Sequence, residues 1–269
     1  QTADGRTILG SLPKEVTGTH FGPRVTSYII YLSAQLRVTQ PLIVEHVREL
    51  GIEISAGQID RILNTWGEKL EQEKADILKA GLEIAPYIQV DDTSARHKGK
   101  NGVCTQIGGE FFTWFASTKS KSRINFLELL QGEKRGYLLN EYSREYLNRY
   151  GVNASTLEKL PWDKLFENQD QWDEFLQTCA TKCRMREITE AALLGHLVAN
   201  GLRKDLLVVS DDAGQFNVLL HALCWCHAER PLLRLIPLTD ESKQDLDCIR
   251  SEFWELYRAL KEYQLAPSA

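Results

Sequence analysis

Apolar residues recur at three- and four-residue steps through the first third of the chain and switch to alternation at Pro86, so a helical region precedes one of a different kind. Residues 1–22 are polar with Gly and Pro and read as a leader or linker. Pro23 opens a first helix whose apolar face is Val25, Ile29, Ile30, Leu32 and Leu36. Pro41 opens a second, with Leu42, Val44, Val47 and Leu50, and Gly51 stands where a left-handed C-cap is favoured. Ser55 and Gln58 form a capping box for a third helix carrying Ile59, Ile62, Leu63 and Trp66 inward. Outward Gln58, Arg61 and Asn64 make this a helix-turn-helix candidate with those three as DNA contacts. A plain three-helix bundle fits as well, and Asp60 disfavours phosphate contact. A linker helix over 68–80 completes an all-α domain, 23–85.

From Tyr87 the period is two. Ile88 and Val90 alternate with Tyr87 and Gln89, and the strand runs into Asp91 and Asp92. Continued alternation sends Asp92 to the Ile88/Val90 face and Asp91 to the Gln89 face, which makes Asp91 the better functional candidate. A Gly- and Asn-rich turn, a strand at Val103–Ile107, a turn at Gly108 and Gly109, an antiparallel aromatic strand at Phe111–Phe115 and a helix over Ser120–Leu130 fill 86–132. Residues 133–200 are charged and helical and read as an inserted helical subdomain, in which Cys179 and Cys183 are two buried thiols. Leu206–Asp212 restores a strand ending in paired acids, and 201–238 completes the core with a short strand at His221 that runs into a helix. Residues 239–269 begin a further helical segment with Phe253, Leu256, Leu260 and Tyr263 along one side. The fold class is therefore α/β, a mixed sheet with a helical insertion, preceded by an all-α domain.

No apolar run reaches the roughly 18 residues of a membrane helix, so no membrane partner is expected. Six scattered cysteines fit a reducing, cytoplasmic location better than a disulfide framework. Gln1 to Arg6 lack a Met and any signal pattern, which suggests a fragment start. The net charge of −5 argues against a uniformly basic coat, yet Thr93–Arg135 holds eight Lys/Arg against three acids. Arg96, Lys98 and Lys100 in that stretch are candidate DNA contacts beside the first acidic pair.

One Asp pair at a strand end is most simply a turn cap. Two strands of one α/β domain ending this way bring carboxylates together if the strands are neighbours, as two-metal phosphoryl chemistry requires. Strand polarity does not choose between Asp211 and Asp212. Cys224 and His227 have a zinc-compatible spacing but no second pair, so a packing or hydrogen-bonding role is the simpler reading.

The motifs Val90-Asp91-Asp92-Thr93, Val209-Ser210-Asp211-Asp212-Ala213-Gly214-Gln215-Phe216 and Cys224-Trp225-Cys226-His227-Ala228-Glu229-Arg230 resemble insertion-sequence transposases with a ribonuclease-H-like core, in particular the insertion-sequence-sixty-six-like subgroup. Phe21-Gly22-Pro23-Arg24, Leu36-Arg37-Val38 and Ile54-Ser55-Ala56-Gly57 resemble that subgroup's helical DNA-binding segment, so the likeness spans most of Phe21–Gln264. The resemblance implies Asp91 and Asp211 as catalytic, metal-holding acids and Cys224 and His227 as the Cys-x-x-His pair. It further implies two Mg²⁺ (or Mn²⁺) ions, double-stranded DNA at transposon ends and target as substrate, cleavage followed by strand transfer, and a homodimer. The family's third carboxylate lies on a helix beyond a long helical insertion and an Asn-rich segment, and Glu229, Glu241, Glu252, Glu255 and Glu262 all precede the matching position. The expectation is a truncated transposase with weak or no strand transfer on its own. A DNA-binding remnant or regulator, and a metal-dependent nuclease of the same fold, are the alternatives.

Overall fold

The helical period of the first third is realised as three helices, α1 (Pro23–Ala34), α2 (Gln40–Glu49) and α3 (Ala56–Lys69). The structure, a computed structural model, describes residue 5 and residues 20–97, 99–178 and 184–267. Most of the expected leader, Lys98 and the Cys179/Cys183 pair lie outside the described residues. The chain divides into two compact units, Gln1–Lys74 and Ala75–Ala269. The division falls at the start of helix α4 (Glu71–Ile84) and not at 85/86, because Leu78, Leu82 and Ala85 belong to the core of the second unit.

In the first unit Ile29, Leu32, Ile43, Val47, Ile54 and Ile59 form a small closed core. Its third helix starts where the sequence predicts: Gln58 N–H donates to Ser55 Oγ at 3.2 Å and Ser55 N–H to Gln58 Oε1 at 2.8 Å. Gly51 adopts φ +80°, the left-handed conformation that lets α2 end in so short a turn.

The second unit is built on a five-stranded mixed sheet in the order β3-β2-β1-β6-β7. Strands β1 (Tyr87–His97), β2 (Lys100–Gly108) and β3 (Thr113–Thr118) form an antiparallel meander. Strands β6 (Leu207–Ser210) and β7 (Leu220–Leu223) run parallel to β1. Ile88, Val90 and Val208 are buried while Gln89 is exposed and Val209 half-buried, so both central strands alternate. The aromatic strand begins two residues later than the expected Phe111, because Phe112 is used as a plug. Its ring lies against Gly81 and Gly109, and Gly109 N–H donates to Phe112 O at 2.9 Å to close the turn, leaving Phe111 exposed.

The region 133–200 is not wholly helical and does not bury a core of its own. A two-stranded ribbon, β4 (Tyr137–Leu138) with β5 (Leu165–Phe166), accompanies helices α6 (Glu141–Arg149), α7 (Ala154–Leu157), α8 (Gln169–Thr178) and α9 (Met185–Ala199). Every residue from Ile188 to Leu197 of α9 is buried, so this helix is the centre of the unit. It packs against α5 (Arg123–Gln131), α6 and β4, within the same apolar cluster as Ile88 and Val208. After α10 (Trp225–Leu233) comes a long helix, α11 (Asp240–Leu265), capped by Thr239 and Ser242.

Gly195 is where α9 approaches most closely, since a Cβ there would overlap the Leu138 carbonyl oxygen and the Ser143 hydroxyl. Gly195→Ala therefore destabilises the protein by about 1–3 kcal/mol despite a helix-propensity gain of about 1 kcal/mol, and chemical denaturation reads the difference. Next to it His196 is buried, and its ring nitrogens face the side-chain amides of Gln131 and Asn200 at 3.1 Å. Burial, with Lys134 adding to it, holds the imidazole below its usual 6.5. A depressed folded-state value means that the unfolded chain takes up the proton first, so this stability is present above 6.5 and is lost as pH falls through the folded value. Denaturation at a series of pH values will show a shallower loss on the acid side for His196→Gln than for the wild type.

Candidate active site on two parallel strands

The parallel pairing of β1 with β6 aligns Tyr87 with Leu207, Ile88 with Val208 and Gln89 with Val209. Two residues further in the same register stand Asp91 and Asp211, the latter the first residue beyond β6. Both continue the less buried face, that of Gln89 and Val209. Parallel partners share a face, so residues 120 apart in sequence stand side by side, Asp211 where β6 ends and Asp91 within β1, which runs on past the expected end at the acid pair to His97 in pairing with β2. Asp91 is exposed and its Oδ1 accepts the Asp92 N–H at 2.8 Å. Asp211 is half-buried and its Oδ1 accepts the Ala213 N–H at 3.1 Å, an Asx turn that bends the chain out of β6. Each carboxylate thereby keeps its second oxygen for a ligand.

Asp92 takes the opposite face and a different task. It accepts from the Thr105 hydroxyl at 2.5 Å, its cross-strand neighbour on β2, and from Gln215 Nε2 at 3.1 Å. Through Gln215 it fastens the loop after Asp211 to the middle of β1. Lys121 donates to the Asp92 carbonyl at 3.1 Å, which places an ammonium beside the acids. Asp212 is exposed at the loop surface.

Beneath this loop lies a buried polar cluster centred on Arg123, the first residue of α5. Its Nη1 donates to Tyr150 Oη at 2.8 Å, Tyr146 Oη at 3.0 Å and Glu190 Oε2 at 3.1 Å, and its Nη2 to the Gly214 carbonyl at 2.6 Å. Tyr146 donates in turn to Glu190 at 2.7 Å. Burial alone would lower the Arg123 pKa, but Tyr146 and Glu190 outweigh it and the guanidinium is held above its usual range. Burial and the bond to Glu190 likewise push the Tyr146 phenol up. The guanidinium thus stays charged and the phenol neutral, and a backbone carbonyl three residues after Asp211 is held by a fixed charge.

The remaining candidates are dispersed. Cys224 caps α10, and its N–H donates to the Ser210 carbonyl at 2.7 Å, tying that helix to the end of β6. His227 sits one turn along, its N–H bonded to Cys224 O at 3.1 Å. Among the described residues no three His, Cys, Asp or Glu side chains are grouped to hold a metal ion. Arg96 and Lys100 lie exposed at the β1–β2 hairpin end, about 17 Å along the strand from Asp91 by strand rise. On α3, Gln58 spends its carbonyl oxygen on the capping box, Asn64 donates to Asp60 at 3.1 Å, and Arg61 is exposed. Arg61 lines a groove of about 200 Å³ with Phe21, Trp66 and Lys69. Gln215, Thr105 and the Arg123 cluster escaped sequence reading. Arg123 entered it only as one positive charge in a basic stretch, and nothing local marks it as buried.

Comparison with known proteins adds a family. Residues 18–146 match the model of the transposase IS66 family. Over these residues, just under half of the chain, the sequence is similar to that family. The matched segment takes in the three-helix unit, β1 with Asp91, the meander and α5, while Asp211, Cys224 and His227 lie beyond it. An uncharacterized protein, y4jO, of Sinorhizobium fredii is 41% identical over 198 residues, covering 71% of this chain and 61% of that protein. The chain thus spans about 61% of the length of this relative. No solved structure matches the chain. No helix among the described residues is long and apolar enough to cross a membrane.

The cluster predicts a contrast in stability. Arg123→Met leaves Glu190 buried with only the mostly exposed Arg186 as a cation, and should cost about 3–5 kcal/mol in chemical denaturation. Asp91→Asn, at an exposed position, should change stability by no more than about 0.5 kcal/mol.

Proposed function

We propose that this chain is the DNA-processing part of an IS66-family transposase, in which Asp91 and Asp211 carry a ribonuclease-H-like phosphodiester chemistry. The observation that carries the reading is the parallel register of β1 with β6, which, continued by two residues, sets the two acids on neighbouring inner strands of the sheet. The strand order, an antiparallel meander followed by two strands parallel to its first member, supports the ribonuclease-H-like assignment.

The donor set is oxygen-only, carried by two neighbouring strands, and suits Mg²⁺ or Mn²⁺ over zinc. Asp91 and Asp211 would be the protein ligands, the rest of the octahedron being water and phosphate oxygen. A bound ion would supply an activated water and charge neutralisation at the scissile phosphate. The chain's own contributions are separate from this. Lys121 offers a cation to the incoming phosphodiester. Gln215 and Arg123 hold the Asp211 loop so that the acid does not reorganise during reaction, which is the form of catalysis phosphoryl transfer depends on most. The three-helix unit, with Arg61 and Lys69 beside its groove, and the hairpin cations Arg96 and Lys100 supply duplex binding. A second reading, DNA binding without cleavage, is favoured by the absence, among the described residues, of any group of three or more His, Cys, Asp or Glu side chains that could hold a metal ion.

The test is an assay on duplex DNA carrying the ends of the host element, with Mg²⁺ or Mn²⁺. Binding should weaken steeply with salt, and cleavage should fall about a hundredfold or more in Asp91→Asn and Asp211→Asn but persist in Asp212→Asn. Binding without any metal-dependent cleavage would select the second reading. Cleavage indifferent to Asp91 would end the first.

A further inference from the structure

Helix α11 buries none of its 26 residues, although it runs for about 39 Å at the usual rise and carries many apolar side chains. Those side chains are not scattered. Leu246, Ile249, Phe253, Leu256, Leu260 and Tyr263 follow one another at steps of three, four, three, four and three, an unbroken a/d seam over three heptads. The true helical repeat of 3.6 would let such a stripe drift, and a repeat held at 3.5 is the pattern of a helix supercoiled against another helix. Helix α10 covers one flank of the seam. Its Trp225 packs at a tilt against Phe253 and edge-on against Tyr257 at centroid distances of 4.9 and 5.4 Å, and its Glu229 pairs with Arg250 at 2.9 Å. On the other side the d residues Ile249 and Leu256 are 50% and 55% exposed.

We infer that α11 is a self-association helix, pairing in parallel and in register with α11 of a second copy of this chain. The flanking residues decide for that occupant. With the seam at a and d, Asp245 falls at a g position and Arg250 at the next e position, the two that meet across a parallel two-stranded coiled coil. Each copy then offers an acid to the other's base, twice by symmetry. Arg250 bonds Glu229 through Nε and Nη2, so Nη1 remains to meet Asp245 of the second copy. The later g–e meetings, Glu252 with Tyr257 and Ala259 with Gln264, oppose no like charges. An antiparallel pairing that matches the same six seam residues sets Arg250 near Tyr257 and Glu252 near Ala259, and forms no ion pair. Three heptads with complementary flanks meet the minimum for a coiled coil, and the two α10 helices widen the contact on either side. The inference does not depend on the proposed catalysis.

Sedimentation equilibrium of the 269-residue chain should give twice the 30.7 kDa monomer mass. Ile249→Glu with Leu256→Glu should return the monomer mass while the thermal unfolding of the core is retained, since neither side chain is buried in one copy. In a background with Cys226 and Cys248 changed to Ser, mild oxidation should cross-link Leu256→Cys between copies and leave Arg258→Cys, on the outer face, uncross-linked. A wild-type monomer at every attainable concentration would overturn the inference. So would a dimer that survives the double Glu variant, or one that cross-links through position 258 and not 256.

Discussion

The parallel contact between β1 and β6 is the constraint on which the rest of the second unit depends. Two strands separated by more than a hundred residues must come into register before Asp91 and Asp211 can meet, and everything between them serves that closure. Loop-closure entropy grows only slowly with the length of the intervening chain, so a long excursion through α5 to α9 is tolerable. What makes it favourable is that the excursion returns as a buried helix. Helix α9 fills the space over the sheet and joins the apolar cluster that includes Ile88, Val90 and Val208. The register of β1 against β6 is held because a slip by one residue would turn Ile88 and Val90 away from that cluster.

A charge inside the core then links this frame to the site. Arg123 and Glu190 come from helices that pack on one another, and a buried pair of this kind is weak evidence for stability in itself. Its value here is geometric. The guanidinium also holds the Gly214 carbonyl, while Asp92 receives Gln215 from the same loop. The loop carrying Asp211 is thus gripped at two successive residues by groups belonging to different elements. The acids themselves remain uncommitted on their outer oxygens, and the scaffold around them carries the hydrogen bonding.

Much of this was legible in the sequence, for local reasons. The capping box at Ser55 and Gln58, the Gly51 turn, the period-2 strand from Tyr87 and the opposite faces of Asp91 and Asp92 all depend on neighbours within a few residues. The start of β3 was not, because the pattern Phe111–Phe115 is equally good for a strand, and only the pocket formed by Gly81 and Gly109 converts Phe112 into a plug. That 133–200 joins the core of the sheet is hidden in the sequence for a similar reason. Its charged helices look peripheral one at a time, and the burial of α9 is a property of what packs around it. The difference between Asp211 and Asp212 also needed tertiary information, since register against β1 is not written in β6. Arg123 and Gln215 were invisible because their partners are distant in sequence, Glu190 and Asp92 respectively.

The unequal lengths of β1 and β6 carry one further consequence. Strand β1 has eleven residues and β6 four, and the pairs Ala95 with Gly102, Arg96 with Asn101 and His97 with Lys100 lie past the last pairing of β2 with β3. The hairpin end is consequently a bare two-stranded ribbon, the least rigid form of sheet. It can flex without disturbing the strand below Gln89, because the two portions share no third strand. Stiffness is therefore graded along a single strand: firmer around Asp91, where β2 and β3 lie alongside, and more compliant toward Arg96.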